Sequence, residues 1–179
     1  MSAIFQVLTV TSLLCIGYSY CESCLGRETG WIPFDRTGFE YKYVGSLKED
    51  EWIEWKKAEE ICQKSGAHLV SIHSMEENAF VSGLIGKSYN YIIATWIGLE
   101  KDTVTKRLTW TDGSEVDFEN VYEDGHSHHC DVVNGLIYTE HIDGTDDQRW
   151  ALYGHDPKLE GYVCKRPRRP RIMEKTLKK

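Results

Sequence analysis

Apolar and polar side chains alternate in FEYKYV, from Phe39 to Val44. The alternation puts Phe39, Tyr41 and Tyr43 on one face and predicts a half-buried strand. The period then changes in DEWIEWKKAEEICQKSG. There Trp52, Trp55, Ala58 and Cys62 recur at helical spacing, one apolar stripe with the cysteine pointing inward, and Gly66 supplies the stop signal. After the short apolar run HLVSI, SMEENAFVSGLIGK predicts a second helix. Ser74 and Glu77 form a capping-box pattern whose hydroxyl and carboxylate satisfy free backbone amides. Phe80 with Leu84 and Val81 with Ile85 pair along that helix, and Gly86 ends it.

Strands follow. IIATWIGL reads as a short buried strand ending at Gly98, and RLTWTDG alternates Leu108 and Trp110 before turning at Asp112-Gly113. From Ser114 to Gln148 the chain is rich in Asp, Glu, His and Gly, interrupted only by VVNGLIY; RWALY and GYVC close the series. A strand, two helices and then short strands around a long polar region make an α+β pattern without internal repeats.

The 179 residues suffice for one domain with a substantial core. Residues 1–19, MSAIFQVLTVTSLLCIGYS, are uncharged and mostly apolar, with Gly17 and Ser19 placed for signal-peptidase cleavage after Ser19. They read as a signal peptide, too short for a membrane span, and imply a secreted, extracellular protein. From Lys165 onward eight basic residues face the single Glu174, a formal +7. Against −7 overall, the body from Tyr20 to Cys164 therefore carries −14. Such a body argues against nucleic acid as a partner, because phosphate binding needs a basic face. Residues 167–179 form a basic tail expected to be disordered; its run Arg168–Arg171 is a solvated end, a polyanion contact or a processing site.

Cys15 leaves with the leader, and Cys21, Cys24, Cys62, Cys130 and Cys164 remain if cleavage follows Ser19. That odd count leaves one thiol over, whereas cleavage after Cys21 leaves four. A leftover Cys21 or Cys24 near the amino terminus would suit a disulfide-linked oligomer.

The ordered set AEEICQKSGAHLVSIHSMEENAFV, TWIGLEKD, LTWTDGS and GYVCK, led by CLGRETGWIPF, resembles the C-type lectin-like domain family across residues 24–166. Trp96 to Leu99, Trp-Ile-Gly-Leu, is its most specific element. The resemblance implies two helices with two small antiparallel sheets and a long loop region that carries the ligand site. It also implies a Cys62–Cys164 disulfide, which would close a loop of about 100 residues and stabilise by roughly 2–5 kcal/mol. Cys130 matches the family's loop cysteine, but His155 and Asp156 stand where its partner is expected, and the partner expected for Cys24 near Phe39 or Glu40 is missing. Cys24 and Cys130 are left to pair with each other or with another chain.

Members of this family usually bind sugar through calcium, whose oxygen ligands come from a Glu-Pro-Asn or Gln-Pro-Asp tripeptide and a later Trp-Asn-Asp. Here VYEDGHSHHC lacks the proline, and Trp150 is followed by Ala151 and Leu152, so the usual calcium site is expected to be lost. Other oxygens remain in Glu115, Asp117, Glu119, Glu123, Asp124, Asp143, Asp146 and Asp147. Of these Glu123, Asp124, Asp146 and Asp147 are the candidate ligand contacts, and a solvated acidic loop is the plainer account. His126, His128 and His129 beside Cys130 are candidate zinc or copper ligands with Asp124 in support, or a pH-sensitive loop. Their spacing matches no established zinc pattern, and a polar loop is the default. His68, His73, His141 and His155 are scattered, with His68 structural.

No G-x-S-x-G or H-E-x-x-H framework is present, so an enzyme is not expected; zinc-dependent hydrolysis at the histidine cluster is the least poor version. The expected function is recognition of an extracellular glycan or other ligand. Trp110, Tyr122, Tyr138 and Tyr153 are available for stacking, although core duty suits Trp110 better. The alternative is a calcium-independent protein-interaction or matrix module.

Overall fold

The computed structural model describes residues 26–86, 93–122, 132–138, 148–154 and 157–169. Strands β1 (Gly26–Glu28) and β2 (Ile32–Phe34) lead into β3 (Phe39–Ser46). A single 3-10 turn (Glu49–Glu51) and β4 (Ile53–Glu54) precede helix α1 (Trp55–Lys64). Strand β5 (His68–Leu69) and helix α2 (Met75–Ile85) come next. The remaining strands are β6 (Ala94–Asp102), β7 (Leu108–Trp110), β8 (Val132–Tyr138), β9 (Trp150–Tyr153), β10 (Lys158–Leu159) and β11 (Gly161–Pro167).

Two helices and mixed sheets make this an α+β fold, but the sheets are not two small antiparallel ones. Among the described residues nine strands join along the path β1-β3-β11-β6-β8-β9, with β2, β5 and β7 attached at its sides, and β4 and β10 stand apart as a pair. The joint is a parallel contact between β11 and β6, where Gly161 meets Thr95 and Tyr162 meets Trp96.

Both faces of the central strands are covered, which is why β11 and β6 are buried almost continuously rather than alternately. Successive side chains still point to opposite sides. Tyr41, Tyr43, Ile97 and Val163 join the core that includes Val81 and Ile85 of α2. Trp96, Tyr162 and Cys164 join a second core with Trp55, Ala58 and Cys62 of α1. Cys62 and Cys164 are joined by a disulfide, tying α1 to β11 with their Cα atoms 5.5 Å apart.

Three local expectations change. Helix α1 begins at Trp55, so Trp52 lies outside the stripe, in extended conformation at the end of the 3-10 turn. The indoles of Trp55 and Trp96 explain the offset: Trp55 Nε1 donates to the Ile97 carbonyl and Trp96 Nε1 to the Ile53 carbonyl, both at 2.8 Å, fixing β4 against β6. Strand β6 runs through Gly98 to Asp102, with a register irregularity between Trp96 and Glu100. Gly98 is a crossing point, since a Cβ there would sit 2.7 Å from both the Leu69 carbonyl and Thr111 Oγ1. Ser74 caps α2 by accepting from the Glu77 amide, but Glu77 Oε2 accepts from the His73 amide, one residue before the capping-box position.

Candidate functional site

That displaced carboxylate opens onto a buried polar network. Glu77 is 1% exposed and Lys165, on β11, is 5% exposed. Lys165 Nζ donates to Glu77 Oε1 at 2.7 Å, to the Ser71 carbonyl at 2.9 Å and to Ser71 Oγ at 3.1 Å, and it lies over the Phe39 ring. Tyr41 donates its hydroxyl to Glu77 Oε1 at 2.6 Å; burial, then that bond, push the phenol far above its ordinary range. The oxygens around Lys165 surround it as a shell surrounds a bound cation, so the chain's own ammonium neutralises Glu77.

The network continues to the surface through His73. Its Nδ1 lies 2.6 Å from Asp117 Oδ1, and its Nε2 lies 3.1 Å from Ser71 Oγ and 3.2 Å from Ser114 Oγ. Ser71 and Ser114 each donate to Asp112 at 2.5 Å. Burial works against the Asp112 carboxylate, but the hydroxyls of Ser114 and Ser71 and the Ser114 amide hold its carboxyl below the usual range. The His73 hydrogen bond does the same for Asp117.

Serine, histidine and aspartate thus meet in the outline of a nucleophilic triad, but the hydrogen atoms run the wrong way. Both hydroxyls donate to Asp112 rather than to the imidazole, and Ser71 is fully buried. The Gly113 and Ser114 amides are already bonded to the Trp110 carbonyl and Asp112, so neither is available to an oxyanion. The group pins the loop after β7 to the segment before α2.

A second device holds the base of the long polar region. Asn78 on α2 and Asn120 both donate side-chain amides to the Gln148 carbonyl, at 3.0 and 3.1 Å. Trp150 Nε1 donates to Asn78 Oδ1 at 2.7 Å, and its backbone N–H donates to the Asn120 carbonyl at 2.8 Å. Gln148 takes a φ of 50°, a left-handed conformation uncommon outside glycine, held by these bonds. The returning chain at Gln148 is therefore fixed to one buried asparagine, Asn78, and the departing chain to β9, where the Tyr122 amide donates to the Trp150 carbonyl at 2.7 Å.

Residues 51–166 match the model of the lectin C-type domain. The chain belongs to the C-type lectin domain family. Rheacalcin-2 of Rhea americana is 32% identical over 110 residues, covering 56% of this C-type lectin domain chain and 72% of the relative. The alpha subunit of snaclec rhodocytin from Calloselasma rhodostoma is 31% identical over 153 residues, covering 80% and 96%. The crystal structure of human lithostathine superposes with a TM-score of 0.59 at 22% identity, over 79% of this chain and 88% of that one, a likeness of fold.

Within this C-type lectin domain, the candidate contacts Glu123, Asp124, Asp146 and Asp147, the candidate metal ligands His126, His128 and His129, and Cys24 and Cys130 lie outside the described residues. Glu115, Asp117 and Glu119 are exposed; Trp110 is buried, and Tyr122 and Tyr153 are exposed. His68 Nδ1 lies 2.7 Å from Glu59 Oε1, whose other oxygen accepts from the Leu69 amide, a structural bond that anchors β5 to α1. Among the described residues no three His, Cys, Asp or Glu are grouped to hold a metal, and no helix is long and apolar enough to cross a membrane.

Proposed function

We infer that this is a secreted C-type lectin-like binding protein, without enzymatic activity, that recognises an extracellular glycan or other extracellular ligand without the usual calcium-dependent sugar site. Family membership supports the binding role. The observation that carries the calcium independence is the fate of Trp150, Ala151 and Leu152. All three are buried in β9, where a family member using calcium would present side-chain oxygens. Recognition falls to the region between Tyr122 and Gln148, with Glu123, Asp124, Asp146 and Asp147 as ligand contacts.

A glycan array probed with the secreted protein, with and without EDTA, tests this reading. Binding unchanged by EDTA is expected, and a signal abolished by EDTA and restored by calcium overturns it. Zinc titration by calorimetry tests His126, His128 and His129 separately; heat release lost on their replacement would assign them a metal.

A second reading, a calcium-independent protein-interaction module, draws support from the relative whose name makes it one subunit of an assembly. Binding to proteins alone would favour it. Non-reducing mass spectrometry of the secreted material reports the amino terminus left by removal of residues 1–19, the pairing of Cys24 and Cys130, and any disulfide-linked oligomer.

A further inference from the structure

Among the described residues strand β7 pairs with β6 along one side only. The Asp102 amide donates to the Arg107 carbonyl at 3.0 Å, and the Thr111 amide to the Gly98 carbonyl at 2.9 Å. In an antiparallel ladder bonding alternates, so the backbones of Arg107, Thr109 and Thr111 face β6, while those of Leu108 and Trp110 face away. The Trp110 carbonyl accepts from the Gly113 amide at 3.0 Å. The Leu108 N–H and C=O and the Trp110 N–H have no backbone partner among the described residues.

A cleft of about 580 Å³ runs beside this open edge, between β7 and the returning chain at Gly113–Val116. Its volume falls within the roughly 300–1,000 Å³ of small-ligand sites. Arg107 and Glu115 line it, both exposed, and neither is in an ion pair among the described residues. Leu108 and Val116 add half-buried apolar side chains. Trp110, 3% exposed, also lines the cleft, and its indole Nε1 has no acceptor among the described residues.

We propose that this edge is a docking site for an extended peptide of a partner protein. The peptide adds a strand to β7, carries an acidic side chain to Arg107 and a basic one to Glu115, and seats an apolar residue against Leu108 and Val116. Main-chain donors and an acceptor at a strand edge call for a matching strand, and alternate side chains supply selectivity. The opposed, unpaired charges then set which way the peptide lies. A saccharide fits less well, because the cleft offers no aromatic face for stacking. The Trp110 ring packs edge-on against Trp150 at 5.4 Å and tilted against His73 at 6.2 Å. The edge is only three residues long, which limits indiscriminate strand pairing and makes the charges decisive. The site is built from residues 107–116 and uses none of the proposed loop contacts, so it stands or falls independently of the proposed loop recognition.

The test uses the full secreted chain and immobilised hexapeptides of Thr and Val, blocked at both ends, carrying one Glu and one Lys at varied separation and in either order. Saturable binding is expected for one order of charges. Leu108→Pro deletes the outward N–H without touching the ladder to β6 and should weaken binding at least about tenfold, a difference of roughly 1.4 kcal/mol, and by more than Leu108→Ala, which keeps that N–H and trims only the apolar contact. Exchanging the charges, Arg107→Glu with Glu115→Arg, should reverse the preferred order, a readout that does not depend on the proline variant folding. Absence of saturable binding up to about 1 mM peptide, a weak limit of specific recognition, overturns the proposal. So does a charge-exchanged protein with unchanged preference, or a neutral saccharide that binds in place of every peptide and is lost on Arg107→Glu.

Discussion

Replacing Lys165 by methionine keeps most of the side chain's length while removing the ammonium that faces Glu77. The wild-type pair is 4% and 1% exposed at its side chains, with 2.7 Å between Nζ and Oε1. The substitution leaves the Glu77 carboxylate with the Tyr41 hydroxyl and the His73 amide but no counter-charge. Removing one partner of a buried ion pair costs about 3–5 kcal/mol, because the other charge stays buried and unmatched. For a domain of this size each kcal/mol moves Tm by about 2–4 °C, so Lys165→Met should lower Tm by roughly 6–20 °C. Thermal and urea unfolding followed by circular dichroism, with the disulfide intact, measures it. Adding Glu77→Gln removes the orphaned charge, and the double variant should regain at least about 1 kcal/mol over the single one. A single variant within about 0.5 kcal/mol of wild type, the range of ordinary surface changes, would refute the assignment of a buried, mutually dependent pair. A double variant no more stable than Lys165→Met would refute it equally.

Cys62→Ser with Cys164→Ser opens a cross-link between residues 102 apart in sequence. The unfolded chain then gains conformational freedom worth about 4–5 kcal/mol, visible as a urea midpoint that no longer responds to reductant. The Asp117 carboxyl titrates below the ordinary range because His73 bonds its charged form. The His73–Asp117 contact therefore contributes above the ordinary carboxylate range and is lost as pH falls through the lowered value. A carbon-detected NMR titration should show Asp117 returning toward the ordinary range in His73→Gln, and an unchanged midpoint would disprove the contact.

The periodic elements were legible in the chain because each depends on its own neighbours: Tyr41 and Tyr43 alternate into the core, and Ala58 and Cys62 line one face of α1. Trp52 misled, because its spacing continues the α1 stripe while an intervening strand, held by the Trp96 indole, interrupts the helix. Gly98 resembled a stop because glycine breaks strands; here it admits close passage of the Leu69 backbone. The single large sheet was hidden, since a parallel contact between β6 and β11 joins segments far apart in sequence and leaves no local pattern. His73 looked isolated for the same reason: Ser114 and Asp117 lie 41 and 44 residues away.

Gln148 is moored to the core asparagine Asn78 and Tyr122 to the Trp150 carbonyl of β9, and β8, the segment between them, is itself bonded to β6 and β9. Each of the stretches 123–131 and 139–147 thus starts and finishes on fixed framework. Their composition can be shuffled like interchangeable cassettes, by natural drift or in a display library, while the frame that presents them stays the same.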